Sequence, residues 1–305
     1  MKRLLILSAL CGTVAGLSAQ SSLDLLTLSG RYGLSSQYEG HPDLDRATET
    51  GAMVNVKLPV KLSGTSIWYN DLTYTTFHVN NDNEFVPPVA NPIHLHSFIL
   101  QTGWYKRFGD GRGIQLLLAP RFMTDFENAS ARNFQLGGIV MYEKRYSESL
   151  MMRFGAMYNN ELGGPFVVPI VYSDWQINSR WSLVGMWPIF GKLNCRVNEN
   201  LSAGISHFGL ITSYRLGNPD YEGDYIERTS IDLCGFARVR LAGNLHLEGR
   251  LGYALGRSYY QYGEDQKVPF RISIIKFGDE RVEKNTLFKP GPIAELRLVY
   301  NLPLE

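Results

Sequence analysis

Charged side chains fall on one strand parity in several segments of the C-terminal third of this 305-residue chain. Asp232, Arg238 and Arg240 share one parity of Ile231–Leu241, and His246, Glu248 and Arg250 share one parity of the segment that follows. Glu295 and Arg297 continue the pattern near the end, and Arg31 joins it if the first and last segments are neighbours. On an extended strand, side chains at i and i+2 point to the same side. The spacing therefore gathers carboxylates and guanidiniums on one wall. Such a wall can lock itself with ion pairs, or it can line a passage and filter solutes. The tight turn Ala242–Asn244 sets a register in which Arg238 falls opposite Glu248, within cross-strand reach. Arg121, Asp125, Glu143, Arg145 and Arg153 form a second group, expected on the opposite wall. Signs are mixed in both groups, so neither anion nor cation preference follows.

Other chemistry is thin. His94 and His96 share a face and could hold a metal, but no third ligand accompanies them, and anchoring at an interface suits them better. The acidic stretch Asn218–Asp224 has oxygens for Ca²⁺ without the spacing of a calcium loop. Ser206 and His207 are adjacent in a strand and point to opposite faces, which prevents a direct dyad. No Gly-x-Ser-x-Gly elbow, His-Glu-x-x-His pair or phosphate loop occurs. The expectation is a non-enzyme without cofactor or metal. A lipid-modifying enzyme assembled from distant strands is the outlying alternative.

The elements that carry these residues are strands. From Ser22 to Leu302, stretches of about ten residues alternate apolar and polar, and no 3.6-residue period competes. In Ile231–Leu241 the partners of the charged parity are Ile231, Leu233, Gly235, Ala237, Val239 and Leu241. Tight turns at Leu62–Gly64, Gly109–Arg112, Ser147–Glu148, Asn178–Arg180, Asn198–Asn200 and Ala242–Asn244 supply Gly or Asn where positive φ is wanted. Longer connections at Glu39–Thr48, His78–Pro92, Glu127–Arg132, Asn160–Pro165, Gly217–Glu227 and Gly263–Lys289 alternate with them. Short turns on one side and long loops on the other are the asymmetry of outer-membrane barrels, and a soluble sandwich has no reason to keep it. Two short segments, Trp181–Trp187 and Gly191–Val197, decide the count. If Pro188 sits in a turn, about 14 strands close the wall; if the pair folds inward, roughly 12 do. The larger count is favoured. Aromatic residues, among them Tyr32, Phe77, Trp104, Tyr142, Trp175, Tyr253, Tyr259 and Tyr300, gather towards strand ends, as interfacial girdles require.

Lys2, Arg3, the apolar run Leu4–Val14 and the small residues before Gln20 read as a cleavable export signal, with residues 1–19 removed and 20–305 forming one barrel domain. The run is too short to span a membrane as a helix. Of the 3 cysteines, only Cys195 and Cys234 would survive cleavage, which excludes a disulfide scaffold. A net charge of +1 lacks the basic footprint of a nucleic-acid binder. A mean hydropathy of -0.15 beside 44% hydrophobic residues is what strict alternation gives.

The signal ending at Ala19–Gln20, the alternating connections and the closing segment Ala294–Leu302 resemble outer-membrane β-barrel proteins of Bacteroidota-type bacteria, nearest to a domain family of unknown function. The likeness covers the mature chain. It implies an all-β, transmembrane, antiparallel up-and-down barrel in a Gram-negative outer membrane, and it brings no catalytic residues. The expected partners are outer-membrane lipids, lipopolysaccharide, the barrel-assembly machinery and a small hydrophilic solute. One departure is the end of the chain, Leu302-Pro303-Leu304-Glu305, where such barrels usually finish on an aromatic residue. The leading functional expectation is a monomeric, porin-like channel for small hydrophilic solutes, without room for an N-terminal plug. The alternative is a non-conducting structural or surface-interaction barrel.

Overall fold

The structure, a computed structural model, describes residues 22–303; the expected signal segment lies outside the described residues. The chain rises and falls through β1 (Ser22–Ser36), β2 (Ala47–Lys57) with its continuation β3 (Val60–Ser63), β4 (Ser66–Asn80), β5 (Ile93–Arg107) and β6 (Arg112–Thr124). It continues through β7 (Phe134–Arg145), β8 (Leu150–Glu161), β9 (Gly164–Gln176), β10 (Trp181–Trp187), β11 (Phe190–Arg196) and β12 (Leu201–Arg215). The tall strands β13 (Tyr225–Ala242) and β14 (Leu245–Tyr262) follow, then a long connection holding β15 (Phe270–Ile272) and β16 (Ile275–Phe277), and finally β17 (Gly291–Pro303). Neighbours pair antiparallel, and β17 pairs with both β14 and β1, so the sheet closes into a barrel of 14 wall strands. Closure leaves no backbone edge bare, the condition for a β-structure in hydrocarbon. The short Trp181–Trp187 and Phe190–Arg196 segments stand in the wall, as the larger count required.

Alternation sets the two faces. On β13, Ile231, Leu233, Val239 and Leu241 are exposed outside while Asp232, Cys234 and Phe236 are buried inside. The same holds on β6 and β7, where Leu116, Leu118, Leu136 and Val140 point out and Gln115, Leu117, Ile139 and Met141 point in. An outer belt of exposed Leu, Val and Ile is unfavourable against water and favourable against lipid. The periplasmic-type turns are tight: between β5 and β6, Asp110 and Gly111 both take positive φ, 62° and 67°, the pairing a type I′ turn needs. Tyr32, Tyr142, Trp175, Tyr253 and Tyr300 sit exposed on the outside, but Phe77 and Tyr259, grouped with the girdle by position, point inward.

Tyr259 turns inward because of one residue. Gly256 has φ +60°, and β14 sets Leu255 opposite Ile231 but Ser258 opposite Thr229. β14 thus uses one residue more than β13 across this bulge, which reverses its parity. Below it His246, Glu248 and Arg250 face the lumen; above it Arg257, Tyr259 and Gln261 do.

β10 and β11 have only seven residues each, so the wall drops between β9 and β12. Their neighbours would be left with unpaired backbone above this step. β12 answers by leaning across the barrel. Ser213 N and Oγ donate to Glu161 Oε2 (2.9 and 2.6 Å), Gln135 Nε2 donates to Ser213 O (2.8 Å), and Arg215 bridges to Thr124 of β6. β9 answers by pairing with β15, Arg271 against Phe166 and Ile272 against Val167. The Gly263–Lys289 connection therefore folds back against the barrel. Two large apolar cores result among the described residues. One lies inside the β6–β9 wall around Leu117, Met141, Met157 and Ile170. The other caps the external end, where Tyr38, Ala90, Leu216 and Phe288 from the loops meet Val79, Leu95, Met123 and Tyr214 from the strands.

Candidate functional site

The lumenal wall made by β1, β2, β11–β14 and β17 carries two charged clusters, one above the other. The lower one centres on Glu248, which is fully buried. Its Oε2 accepts from Lys192 Nζ and Arg238 Nε, both at 2.6 Å, and its Oε1 accepts from Arg250 Nε (2.8 Å) and Arg297 Nη1 (3.0 Å). Arg238 grips Asp24 with both terminal nitrogens, at 3.0 and 2.8 Å, and Asn301 Nδ2 donates to Asp24 at 2.7 Å. Arg250 also reaches Glu295 at 3.4 Å. The Arg238–Glu248 pairing follows from the register Arg238 opposite Glu248 that the turn sets.

The upper cluster centres on Glu49 and Asp232. Arg31 Nε donates to Glu49 (2.6 Å), and its terminal nitrogens bind Asp232, which also accepts from Ser230 Oγ (2.7 Å). Tyr259 OH donates to Glu49 (2.6 Å) and accepts from Arg228 Nε (3.0 Å), whose guanidinium lies 3.7 Å over the Phe77 ring. Arg257 Nη2 donates to Ser36 Oγ (2.8 Å), and its ring-like plane packs beside Phe288. Its Nη1 occupies the space a side chain at position 33 would need: a Cβ on Gly33 would stand 2.2 Å away.

Not every sequence-selected residue enters these clusters. Arg240 is exposed beside the Ala242–Asn244 turn and stands outside the network. His246 Nδ1 donates to Asn244 O (3.0 Å) and also belongs to that turn. The second group does not stay together. Glu143 and Arg153 pair at 2.7 Å near the periplasmic-type end with Tyr105. Arg121 pairs with Glu161 (2.7 Å) and Asn159 (2.8 Å) towards the external end. Arg145 faces the lumen but makes no ion pair with either. Asp125 is not lumenal at all: past the end of β6 it accepts from the backbone of Gly217 (2.7 Å) and Glu127 (3.1 Å), clasping two loops. Burial raises its pKa, partly opposed by those two N–H donors.

Five members of the network, Asp24, Glu49, Lys192, Arg228 and Arg257, were absent from the sequence-selected set. For Glu49 the signal was present, since it shares one parity of its strand with the polar Asn55 and Lys57. Asp24 and Arg257 lie beyond bulges that reverse parity, one between Asp24 and Leu26 and one at Gly256. The histidines sit outside: His94 Nδ1 meets His78 Nδ1 at 3.0 Å, and His96 Nδ1 meets Tyr74 OH at 2.9 Å. His207 faces away from Ser206 and bonds Pro188 O (2.6 Å), stacked on Trp187.

A third cluster holds the long connection in place. Glu227 of β13 gathers Arg271 Nη1 (3.0 Å), Arg281 Nη1 (3.0 Å) and Lys276 Nζ (3.3 Å). Arg281 also binds Asp279 (2.8 Å), and that hydrogen bond holds the Asp279 carboxyl at about 2. In the external cap, burial pushes the Tyr38 hydroxyl up to about 12. It donates to Asn81 Oδ1 (2.9 Å) and accepts from Asp82 N (3.1 Å).

A closed antiparallel barrel with a charged lumenal wall defines the class of this protein. The chain belongs to the family described as "Domain of unknown function (DUF6268)", whose model matches residues 15–267. No curated protein matches it. Among solved structures it is similar to the COG4313 outer membrane channel from Pseudomonas putida F1, at 10% identity and a TM-score of 0.45, covering 94% of this chain and 98% of that one. It is also similar to the NanC porin (9% identity, TM-score 0.37, 90% and 98% covered). The translocator domain of the autotransporter NalP from Neisseria meningitidis is a third (11% identity, TM-score 0.36, 98% and 93% covered).

Proposed function

We propose that this barrel is a monomeric channel of the outer membrane that passes small hydrophilic solutes and is held shut in the form described above. One observation carries the reading: the charged wall opens to solvent below and ends beneath a seal in which loop side chains close over strand residues. In the lower cluster, the side chains of Asp24, Lys192 and Glu295 keep 26%, 23% and 19% exposure. Water therefore enters the lower half of the lumen. Above the upper cluster stand Tyr38, Phe85, Leu216 and Phe288, and loop side chains can move without breaking the ring. The residues serve transport in this reading, and no catalytic step is assigned to them. Outer-membrane lipids and the assembly machinery are the partners it implies.

The second reading is a non-conducting barrel that works through its surface. It draws support from Glu49 and Glu248, whose full burial by cations stiffens the wall. Planar-bilayer recording of the purified full chain separates the two. Discrete conductance steps are expected of the channel. Silence at all voltages, in wild type and in the Tyr38→Ala/Phe288→Ala variant alike, leaves the second reading standing.

A further inference from the structure

The two clusters of the charged wall are not neutral. In the lower one, Lys192, Arg238, Arg250 and Arg297 face Asp24, Glu248 and Glu295; in the upper one, Arg31, Arg228 and Arg257 face Glu49 and Asp232. Each holds one cation more than it holds carboxylates. The opposite wall sets Arg107, Arg121, Arg145 and Arg153 against Glu143, Glu161 and Asp174, so it brings no net negative charge to offset them. Asp71, held by Asn55 and Tyr69, offsets at most one of the two excess charges.

A second, independent observation agrees with the count. Within the two clusters, the buried side-chain atoms lacking a hydrogen-bond partner are Arg257 Nε and Nη1 and Arg297 Nε. All three are donors on cations, and every buried carboxylate oxygen there is satisfied. Arg257 is 1% exposed, so its donors are not simply facing bulk water. Arg257 has no carboxylate within ion-pair reach of these atoms, and Arg297 Nε has only Glu295 Oε1, 3.8 Å away and beyond hydrogen-bond distance, so both clusters have room for a further anionic acceptor.

From this we infer that the wall is an anion path, and that its solutes are small organic carboxylates. The inference rests on the channel reading and names its substrate class. The geometry suits carboxylate because Arg238 and Arg31 each hold a resident carboxylate through both terminal nitrogens. The guanidinium fork matches that group. A travelling carboxylate can take over a resident one's hydrogen bonds in turn, binding well enough to enter and weakly enough to leave. Positive potential focused between low-dielectric walls raises the local anion concentration.

The test is the reversal potential of the full chain in planar bilayers under a KCl gradient, with acetate then replacing chloride. The expected result is anion preference in both salts. In Lys192→Met and Arg250→Gln that preference falls towards unity, and in Asp24→Asn it rises. The pair of cation variants guards against one of them failing to fold. Conductance with potassium preference, or with none, overturns this inference and leaves the channel intact. Chloride passage with acetate exclusion overturns the carboxylate assignment. Silence in wild type and in Tyr38→Ala/Phe288→Ala removes the channel reading and this inference with it.

Discussion

Glu248 is the residue on which the lower wall depends. Four cations converge on its two oxygens, and it has no contact with solvent. Removing one partner of a buried pair leaves uncompensated charge and costs about 3–5 kcal/mol. Glu248→Gln strands four cations at once, so the loss is expected at the upper end of that range. Heat-dependent mobility on denaturing gels, which separates folded from unfolded barrels, will report it as a lower transition temperature. Arg240→Gln, at the exposed turn, is expected to change the same transition by no more than about 0.5 kcal/mol. The contrast was partly legible in the sequence. Parity and the Ala242–Asn244 turn were enough to bring Arg238 to Glu248. They were not enough to find Asp24 or Arg257, because a bulge adds a residue without any change of composition. Nor could parity separate Asp125 from the lumenal set, since the strand ends at Thr124 and alternation carries no meaning beyond it.

At the level of elements, the bulge in β14 and the clamp on the long connection are the working parts. Gly256 holds φ +60°, where a residue with a side chain pays about 1–2 kcal/mol. Gly256→Val is therefore expected to destabilise by that amount or to remove the bulge. Removal would swing Arg257 and Tyr259 towards lipid and strip Glu49 of its hydrogen bond from Tyr259. A cysteine-accessibility scan of β14 in a Cys195→Ser/Cys234→Ser background checks the parity directly: even positions lumenal up to Ala254, odd ones from Arg257 onward. The clamp carries a pH signature. Asp279 is held at about 2, below its ordinary 3.8, by the hydrogen bond from Arg281. A depressed carboxyl contributes stability that is full above 3.8 and is lost as pH falls through about 2. Protection of the 263–289 amides from hydrogen exchange, corrected for the intrinsic exchange rate at each pH, should thus be flat from neutral pH down to about 5 and fall below about 4. Asp279→Asn should be less protected at neutral pH and lose that dependence. The sequence marked this segment as long, but its destination depended on the unpaired edge of β9, which only the short β10–β11 hairpin creates.

For the molecule as a whole, the ring is the robust feature and the cap the adjustable one. Closure was readable from turn lengths, because each short turn forces antiparallel neighbours and the number of segments fixes the count. The cap was not, because it is built from loop residues far apart in the chain: Tyr38, Phe85, Leu216 and Phe288. Tyr38→Ala/Phe288→Ala removes two rings that meet edge-on at 6.4 Å between centroids. Single-channel recording is expected to show more frequent and longer openings than wild type, at the cost of about 3–5 kcal/mol per lost aromatic if the void does not fill.

The hairpin of two seven-residue strands has one further consequence, for a bilayer around it. A strand needs about 9–11 tilted residues to cross hydrocarbon, and β10 and β11 fall short of that. Above them the face turned towards lipid is supplied by Phe270, Ile275 and Phe277 of the docked connection. In a bilayer, lipids on this side would meet a shallower, less regular shore than beside β13 and β14, and their acyl chains would have to shorten or disorder to match it. The barrel would thereby acquire a front and a back in the plane of the membrane, with a thin annulus on one flank alone.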